Sequence, residues 1–394
     1  MWIDRDWTTA VAALTRAFPA VLLTGPRQVG KTALLRHHFP QATYVSFDDP
    51  ALAQQAETHP VAFWDSLREP LIIDEVQYVP SIFRRLKQRI DADRRPGRFL
   101  LTGSQTFSLM QNVSESLAGR CGLLEMSTLS LAEARGAQPS LDSLAFLVEG
   151  GFPALHAGEF ENPGDFYSSY LATYLERDVR NLKAVGSLRD FDRFLRACAI
   201  RTGQILSYSD LARDVGIAPN TARAWLSVMQ ASGQIFLLEP YHRNQGKRLV
   251  KSPKLYFMDT GLACRLAGIT DRAALLASPL AGAFWETLVI GQVVRHFQIQ
   301  REKPPLWFWR TLQGPEIDLL VERGGRFIAI ECKLGEAPDE NATRAFNAFS
   351  EDYGKGTIGQ ALIVCRTPRK YGLKSFPRTS AVGIEQAIES LRGS

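Results

Sequence analysis

Short apolar runs alternate with helical patterns over the first third of the chain. The apolar runs lie at residues 20–23, 44–49, 70–75, 98–104 and 122–126. Such short runs are typical of buried parallel strands, and helical patterns follow the first and the third of them. The alternation predicts an α/β fold with a parallel, doubly wound sheet, which binds its ligand at the carboxyl ends of the strands.

The middle of the chain has a mostly helical pattern. Large apolar side chains share one face of the helical stretch 165–200, at Phe166, Tyr170, Tyr174 and Leu175. A short helix follows, capped by Ser207 or Ser209 and ended by Gly216, and another begins near Pro219. Residues 235–238 and 254–257 then predict paired strands. This order is typical of a helix-turn-helix inside a winged-helix module.

The last third of the chain predicts a small α/β domain. A long helix begins at residue 283, and a polar helix lies at 341–349, with predicted strands at residues 306–310, 316–322, 326–333 and 360–365. A chain of 394 residues is too long for one ordinary core. We therefore expect three units, at residues 1–145, 146–275 and 276–394.

Composition narrows the class of protein without naming a function. The chain is 45% hydrophobic and 22% charged, and its net charge of +5 is compatible with an anionic partner. The five cysteines form no C-x-x-C pair, which favours reduced thiols and a cytoplasmic protein. We expect no membrane helix, which needs roughly 18–20 apolar residues. We also expect no signal peptide, because Asp4, Arg5 and Asp6 interrupt the N-terminal segment.

The pattern G-x-x-x-x-G-K-T follows the first apolar run, at Gly25, Pro26, Arg27, Gln28, Val29, Gly30, Lys31 and Thr32. The glycines let backbone N–H groups point at phosphate oxygens, and the next helix adds partial positive charge at its N-terminus. Lys31 is expected to reach the β- and γ-phosphates of ATP, and Thr32 to ligate Mg²⁺. An ordinary turn is the alternative, which the flanking strand and helix disfavour.

Polar residues end two later apolar runs. Asp74 is placed to support the metal and Glu75 to polarise the attacking water as a general base; the alternative is a pair of surface carboxylates. After the fourth run, Ser104 is our candidate for a polar sensor beside the nucleotide, with Thr102 as the alternative. Arg120, in a loop before the fifth run, is a candidate to neutralise the γ-phosphate, from its own chain or from a neighbouring subunit. A surface arginine at a helix end fits Arg120 equally well.

These motifs resemble those of AAA-like bacterial and archaeal ATPases of the P-loop superfamily. The resemblance runs from the loop 25–32 through Asp74-Glu75-Val76-Gln77 to Thr102-Gly103-Ser104. Two further pieces, at residues 149–153 and 174–179, look like linker elements of that family, so the resemblance covers nearly the whole chain. It implies an uncharacterised C-terminal region as well as the ATPase domain.

Basic and polar residues of the middle unit are candidates for contacts with DNA phosphates, at Asn220, Thr221, Arg223, Arg243, Lys247 and Arg248. The first three lie at the start of the second helix, in the recognition position, and the others lie on a basic wing between the strands. The alternative is that this module only packs between its neighbours.

Four residues of the last unit form a candidate metal site. Glu331 and Lys333 share one face of a strand, and Asp318 can approach from the neighbouring strand. Two carboxylates and a lysine could bind Mg²⁺ and activate a water for phosphodiester attack. With Glu286 on the preceding helix, the order resembles the PD-(D/E)xK restriction-endonuclease fold, although the proline of that name does not directly precede Asp318. The alternative is an ordinary ion pair between Glu331 and Lys333.

The sequence thus favours a cytoplasmic, Mg²⁺-dependent ATPase that acts on DNA as a homo-oligomer. Two alternatives remain open. One is a nuclease that the ATPase licenses, and the other is a nucleotide switch with a scaffold role that is indifferent to DNA.

Overall fold

The computed structural model describes residues 1–104, 109, 113, 115–174, 187–241, 252–311 and 314–392. Within these residues, three β-sheets follow one another along the chain in the order of the three predicted units. Three of the predicted DNA contacts, Arg243, Lys247 and Arg248, lie outside the described residues. The linker piece at residues 175–179 also lies outside them.

The first sheet is parallel throughout, with the strand order β2-β3-β4-β1-β5. Its strands are β1 (Ala20–Thr24), β2 (Thr43–Ser46), β3 (Leu71–Asp74), β4 (Phe99–Thr102) and β5 (Cys121–Glu125). Each strand coincides with a predicted apolar run, so the predicted parallel α/β sheet is confirmed. The order places β4 between β1 and β3, so the ends of these three strands lie side by side.

Both faces of this sheet are covered, because alternate residues of each strand point to opposite sides. Val21 and Leu23 of β1 enter one hydrophobic core, and Leu22 enters another. Helices α1 (Trp7–Ala17) and α2 (Lys31–His38) contribute to the first core. The second core receives the buried faces of α3 (Pro50–Thr58), α4 (Pro60–Asp65) and α5 (Ile82–Ala92).

A helical segment follows, made of α6 (Leu131–Ala137), α7 (Ser143–Glu149), α8 (Pro153–His156) and α9 (Pro163–Thr173). Phe166, Tyr170 and Tyr174 are buried here, as their helical spacing predicted. Tyr170 stacks on Tyr174 with 6.3 Å between the ring centroids. These aromatic rings join the first core, so the helical segment packs onto the first sheet.

The second sheet is small and antiparallel, and three helices pack beside it. The elements are α10 (Leu188–Ala199), β6 (Gln204–Ile205), α11 (Tyr208–Val215), α12 (Pro219–Ala231), β7 (Ile235–Leu238) and β8 (Lys254–Phe257). The strand order is β6-β8-β7. Ser207 caps α11 by accepting the backbone N–H of Asp210 at 3.3 Å, and Gly216 ends that helix with φ +82°. Both features were predicted, with Ser209 as the other candidate cap.

The third sheet has six strands in the order β13-β14-β12-β11-β10-β9. The helices and strands that follow β8 along the chain are α13 (Thr260–Leu266), α14 (Arg272–Ala277), α15 (Ala281–Gln300), β9 (Leu306–Arg310), β10 (Glu316–Arg323), β11 (Arg326–Cys332), α16 (Arg344–Tyr353), β12 (Ile358–Val364), β13 (Tyr371–Leu373), β14 (Thr379–Val382) and α17 (Ile384–Arg392). Strands β9, β10 and β11 are antiparallel neighbours, and β12 and β14 run parallel to β11. The last two strands and α17 were not predicted, because β13 and β14 are short and lack a clear apolar run.

No helix in the described part of the chain is both long enough and apolar enough to cross a membrane. The longest, α15, has 20 residues, and the charged residues Glu286 and Arg295 interrupt its apolar surface. Both side chains are instead used inside the protein, as described below.

Candidate functional site

The loop between β1 and α2 has the backbone geometry of a phosphate-binding loop. Gly25, Gln28 and Gly30 all have positive φ angles, of +129°, +59° and +92°. A Cβ atom on Gly25 would lie 2.0 Å from the carbonyl oxygen of Met126, so this position requires glycine for close backbone approach as well as for its φ angle. The chain then enters α2 at Lys31, which directs the N-terminus of that helix at the loop.

Lys31 is held against this loop. Its Nζ donates to the carbonyl oxygen of Gly25 at 3.0 Å and to that of Pro26 at 2.7 Å. Only 6% of the residue is exposed. The ammonium is therefore positioned over the loop that the sequence predicted to cradle phosphates. Arg27 points toward the end of β3, where its Nη2 donates to the Tyr78 hydroxyl at 3.3 Å.

Asp74, at the end of β3, is surrounded by hydroxyl groups. Thr32 donates to its Oδ1 at 2.5 Å, and Thr102 on β4 also donates to Oδ1. Tyr44 and Ser46 of β2 donate to Oδ2 at 3.0 and 3.4 Å. The sequence did not identify Tyr44 and Ser46, although their i, i+2 spacing places them on one face of a strand. The contact of Thr32 with Asp74 joins the two residues predicted to hold Mg²⁺.

Glu75 has an unusual backbone, with φ +55° and ψ +47°, directly before the 3₁₀ helix Val76–Tyr78. Its N–H donates to Thr102 Oγ1 at 3.3 Å, and its carboxylate accepts a hydrogen bond from the Gln77 side chain. Gln77 was not predicted as a site residue, and it orients the carboxylate that we expect to act on water. The left-handed conformation at Glu75 ends the extended backbone of β3, whose last residue is Asp74.

The geometry favours Thr102 over Ser104 as the polar group of β4. Thr102 contacts both acidic residues, since its hydroxyl donates to Asp74 and accepts from the Glu75 backbone. The Ser104 hydroxyl is buried and has no hydrogen-bond partner among the residues that the structure describes. The sensor role predicted for Ser104 stays a prediction, and Thr102, the alternative, has the contacts that such a role requires.

Arg120 lies far from the loop of its own chain. It directly precedes β5, and the strand register pairs Cys121 with Ala20, at the start of β1. The loop 25–30 follows the other end of β1, so a whole strand length separates the two. Arg120 instead pairs with Asp91, with Nε 2.7 Å from Oδ1. The structure therefore argues against a contact with phosphate in the same chain, and action on a neighbouring subunit stays a prediction.

Arg5 is a buried residue that supports the loop 25–30, and the sequence did not reveal this role. Its Nη1 donates to the carbonyl oxygen of Val29 at 2.7 Å, and its Nη2 donates to that of Ser127 at 2.9 Å. Its Nε lies 3.0 Å from Glu133 of α6. One guanidinium thus ties the loop to the segment that follows β5.

Arg295 has a similar bridging role farther from the loop 25–30. Its Nη2 donates to the Thr128 hydroxyl at 2.8 Å and also to the carbonyl oxygen of Met258, which follows β8. Burial lowers the pKa of this guanidinium to about 10, and the nearby charge of Asp259 acts in the opposite direction. Arg295 remains charged at neutral pH and links α15 to the segments after β5 and β8.

The described residues predicted to contact DNA lie on α12. Asn220 and Arg223 are exposed, and Thr221 is half-buried near the start of this helix. The Arg223 guanidinium lies 4.9 Å from the centre of the Tyr208 ring. The opposite face of α12 is buried through Ala222, Trp225, Leu226 and Met229. An exposed polar face is thus available at the position that the sequence predicted.

The four residues of the predicted C-terminal site come together in the structure. Asp318 on β10 accepts the backbone N–H of Cys332 at 2.7 Å, so it lies against β11. Lys333 Nζ lies 2.7 Å from Glu331 Oε1, and the other carboxylate oxygen of Glu331 is buried without a partner among the described residues. Carboxylate oxygens of Glu286, Glu316 and Asp318 lie within 4.8 Å of one another. Glu316 was not predicted, although it shares a strand face with Asp318.

Lys254 fills the space among these three carboxylates, which we call the acidic cluster. Its Nζ lies 2.8 Å from Glu286, in direct contact with Glu316 and 3.9 Å from Asp318. The Tyr256 hydroxyl also donates to Glu286, at 2.5 Å. Lys254 and Tyr256 belong to β8 of the second sheet, so this contact joins two units of the chain. The sequence did not predict it, although the i, i+2 spacing of the two residues was visible.

Burial shifts the pKa values of these groups. It raises the pKa of Glu286 to about 7 and that of Glu331 to about 8, and the charge of Asp318 adds to both shifts. Burial also raises the pKa of Asp318. Burial alone would lower the pKa of Lys254, but the charges of Glu286, Asp318 and Glu316 outweigh it and raise that pKa well above its usual range. Lys254 is therefore a permanent cation.

A cavity of about 800 Å³ opens beside the acidic cluster. Glu331, Lys333 and Arg344 line it, together with Asp339 and Pro315. Glu286, Asp318 and Lys254 do not contribute to its walls. Of the predicted site residues, the Glu331–Lys333 pair is thus the one that faces this cavity.

The sequence of this chain matches those of two uncharacterized proteins, one of Mycobacterium tuberculosis and one of Mycobacterium bovis. Each is 37% identical over 334 residues, which cover 84% of this chain and 74% of the relative. An AAA domain matches residues 17–135, and two domains of unknown function match residues 142–273 (DUF8612) and 281–386 (DUF4143). The chain belongs to the same family as these mycobacterial proteins, a P-loop ATPase family with an AAA domain. That domain supports nucleotide hydrolysis.

Solved structures with similar folds are more distant. A Walker-type ATPase of Pyrococcus abyssi aligns at 16% identity with a TM-score of 0.44, over 67% of this chain and 96% of its own. DnaA of Aquifex aeolicus bound to AMPPCP aligns at 14% identity with a TM-score of 0.29, over 57% and 85%. The family assignment therefore rests on the mycobacterial relatives and the AAA domain.

Proposed function

We propose that this protein is a Mg²⁺-dependent ATP hydrolase that couples ATP binding and hydrolysis to the binding or remodelling of DNA. The contact of Thr32 with Asp74 at 2.5 Å carries the hydrolytic part. It brings together a hydroxyl at the start of α2 and a carboxylate at the end of β3, beside a loop whose N–H groups and Lys31 suit phosphate. Oxygen ligands of this kind are those that Mg²⁺ prefers.

The site residues then have distinct roles. The loop 25–30 and Lys31 bind the phosphates, and Thr32 and Asp74 would hold the ion, which neutralises charge on the phosphates when it is bound. Glu75 would take a proton from the attacking water, with Gln77 holding its carboxylate in place. Thr102 would keep Asp74 and the backbone of Glu75 in register with each other.

Two substitutions test the hydrolytic proposal. We expect Lys31→Ala to abolish hydrolysis because it removes the cation at the phosphates, and Glu75→Gln to abolish it because the amide cannot accept the proton. Glu75→Gln should still bind nucleotide, which fluorescence of a labelled ATP analogue would show. Asp48→Asn, an exposed carboxylate after β2, is a control expected to leave turnover unchanged. Turnover in either purified site variant would remove the mechanism.

The DNA-binding half of the proposal is supported by the arrangement of α10 to β8. Three helices, a short strand between the first two of them, and a β-hairpin after the third are the elements of a winged-helix module. In such a module α12 is the recognition helix, and its exposed Asn220 and Arg223 suit phosphate contacts. We extend the proposal to a homo-oligomer in which Arg120 meets the nucleotide of a neighbouring subunit.

ATP hydrolysis measured with and without single-stranded, duplex and branched DNA tests this coupling. We expect DNA to stimulate turnover, and Arg223→Ala to weaken the stimulation. Arg193→Ala, an exposed arginine of α10, is the matched control. Turnover that ignores every form of DNA would favour the alternative of a nucleotide switch with a scaffold role.

A second candidate activity, Mg²⁺-dependent nuclease action, is favoured by the convergence of Glu286, Asp318, Glu331 and Lys333. A helix followed by antiparallel β9, β10 and β11 and a parallel β12 also supports the predicted restriction-endonuclease-like fold. This candidate predicts nicking or cutting of DNA that is lost in Asp318→Ala and in Lys333→Ala. An intact DNA substrate after incubation with active ATPase would exclude it. Lys254 contacts two carboxylates of this region, Glu286 and Glu316, and therefore affects whether a metal ion can bind here.

A further inference from the structure

The position of Lys254 raises the question of whether the acidic cluster fits a divalent cation. A Mg²⁺ or Mn²⁺ site needs carboxylate oxygens that converge on an open position, usually shared with water. Here the Lys254 ammonium already occupies the position on which Glu286 and Glu316 converge. The side chain of Lys254 is only 2% exposed, so it is enclosed rather than loosely associated. As arranged, the cluster does not fit a metal ion.

The remaining contacts of the acidic cluster also argue against a metal ion there. Glu286 Oε1 accepts from both Lys254 and Tyr256, so this oxygen is already engaged by two donors from β8. Asp318 Oδ2 accepts from the Cys332 backbone, and Glu316 Oε2 accepts from Arg310 at 2.9 Å. The Phe308 ring lies 5.6 Å from the ammonium and closes another side of it. A metal ion at this place would meet a like charge inside an apolar and hydrogen-bonded enclosure.

We propose that Lys254 is a built-in cation that closes the acidic cluster to divalent metal and fixes the second sheet to the C-terminal domain. The inference goes beyond the proposed ATPase and does not depend on it. It makes the cluster an ion-paired junction between two units, and metal entry there requires β8 to withdraw. The Glu331–Lys333 pair remains open to its cavity, but without the acidic cluster it offers a single carboxylate, too few ligands to hold an ion firmly.

The competing explanation is that Lys254 forms an ordinary buried ion pair that does not affect metal binding. The charge of Lys254 alone does not distinguish this explanation from the proposal. Lys254→Met removes the ammonium and keeps much of the side-chain volume, whereas Lys254→Arg keeps the positive charge. Adding Asp318→Asn to Lys254→Met removes a candidate ligand while every variant keeps the same nucleotide loop. Differences between these proteins therefore report on the acidic cluster and not on the ATP site.

The experiment is a Mn²⁺ titration of the full chain without nucleotide, in which electron paramagnetic resonance counts the free ion. Wild type and Asp318→Asn should bind the same amount of Mn²⁺. Lys254→Met should bind about one further ion per chain, at least about tenfold more tightly than wild type, because the carboxylates lose their resident cation. That gain should vanish in Lys254→Met/Asp318→Asn and be absent in Lys254→Arg.

Two results would overturn the inference. One is a Mn²⁺ site in wild type that Asp318→Asn removes, which would show that Lys254 does not exclude metal. The other is a folded Lys254→Met protein, judged by circular dichroism, that gains no ion. If Lys254→Met does not fold, the comparison of wild type with Asp318→Asn still decides, since equal binding supports the inference and unequal binding refutes it.

Discussion

The proposed nucleotide site and the acidic cluster use similar residues in different ways. At the nucleotide site, a buried carboxylate, Asp74, is surrounded by four neutral hydroxyl donors. At the acidic cluster, three carboxylates surround one ammonium, that of Lys254. Hydroxyl groups can rotate and also serve as ligands, so the first arrangement can accept a cation without breaking an ion pair. The second must first lose the cation that it contains.

The difference shows that a set of acidic residues does not by itself define a metal site. What decides is the partner that each carboxylate has inside the fold. A neutral partner leaves the negative charge available to an ion, whereas a buried ammonium neutralises it and also occupies its space. Only the structure shows which partner is present.

The largest expected effect concerns stability. Lys254→Met should lower the free energy of unfolding by about 3–5 kcal/mol, because it leaves buried carboxylates without their counter-ion. Asp74→Asn should lower it by about 1 kcal/mol or less, because the surrounding hydroxyl groups can reorient around an amide. Urea unfolding followed by circular dichroism gives both values.

A further control separates burial from charge. Lys333 is the more exposed lysine of this region, and Lys333→Met should cost about 1 kcal/mol or less. If Lys254→Met costs no more than Lys333→Met or Asp74→Asn, the contrast between the two sites fails.

A smaller effect is expected on catalysis within the nucleotide site. Thr102→Val removes the hydroxyl that contacts Asp74 and the backbone of Glu75, and we expect it to lower kcat by about 10- to 100-fold. Ser104→Ala should change kcat by less than about threefold, because its hydroxyl makes no hydrogen bond among the described residues. Steady-state ATP hydrolysis measures both.

The reverse order, with Ser104→Ala as the damaging change, would restore Ser104 as the sensor. It would also show that the hydroxyl contacts of Asp74 do not tune the reaction. The proposed nucleotide site and the acidic cluster would then differ only in whether they can accept a metal ion.

The most gradual effect, small for each pH unit, is a pH dependence of stability at the C-terminal site. The pKa of Glu331 is raised to about 8 in the folded chain, so between about pH 5 and pH 8 the folded state binds more protons than the unfolded state. The stabilisation that comes from the raised pKa of Glu331 is fully present below the pKa of this residue in the unfolded chain. It is lost as the pH rises through 8. The free energy of unfolding should fall by roughly 1 kcal/mol per pH unit in this window.

The side chain of the Glu331→Gln variant does not titrate. The unfolding free energy of this variant should therefore vary less over the same pH range. Urea midpoints at pH 5, 6, 7 and 8 provide the measurement for wild type and variant. Equal pH dependence in the two proteins would contradict the raised pKa.

The sequence predicted the elements that have strong local signals. The five strands of the first sheet, the loop 25–32 and the acidic pair after β3 follow from apolar runs and from spacing. Tyr44, Gln77 and Arg5 were missed because their roles depend on which strands are neighbours and on how far a long side chain reaches. No local pattern records either property.

The C-terminal site shows the same limit more sharply. Glu286, Asp318, Glu331 and Lys333 were named from their order on a helix and two strands, and the fold brings them together. Lys254 was seen only as the first residue of a predicted strand. Its contact with Glu286 joins β8 of the second sheet to the helix α15 and spans a sequence separation of 32 residues, so no helical or strand period could reveal it.

Two buried arginines, Arg5 and Arg295, connect the loop 25–30 to the C-terminal part of the molecule. Arg5 donates hydrogen bonds to the carbonyl oxygens of Val29 and Ser127. Arg295 donates to the hydroxyl of the adjoining Thr128 and to the carbonyl oxygen of Met258. Arg295 shares its helix with Glu286, and Met258 lies four positions after Lys254. These hydrogen bonds therefore connect the loop 25–30, through residues 127 and 128, to α15 and to the segment after β8, and both of these elements also carry residues of the Lys254–Glu286 contact. A double-mutant cycle that pairs Arg5→Lys with Lys254→Arg would measure, as a coupling free energy, how much of a displacement at one end reaches the other.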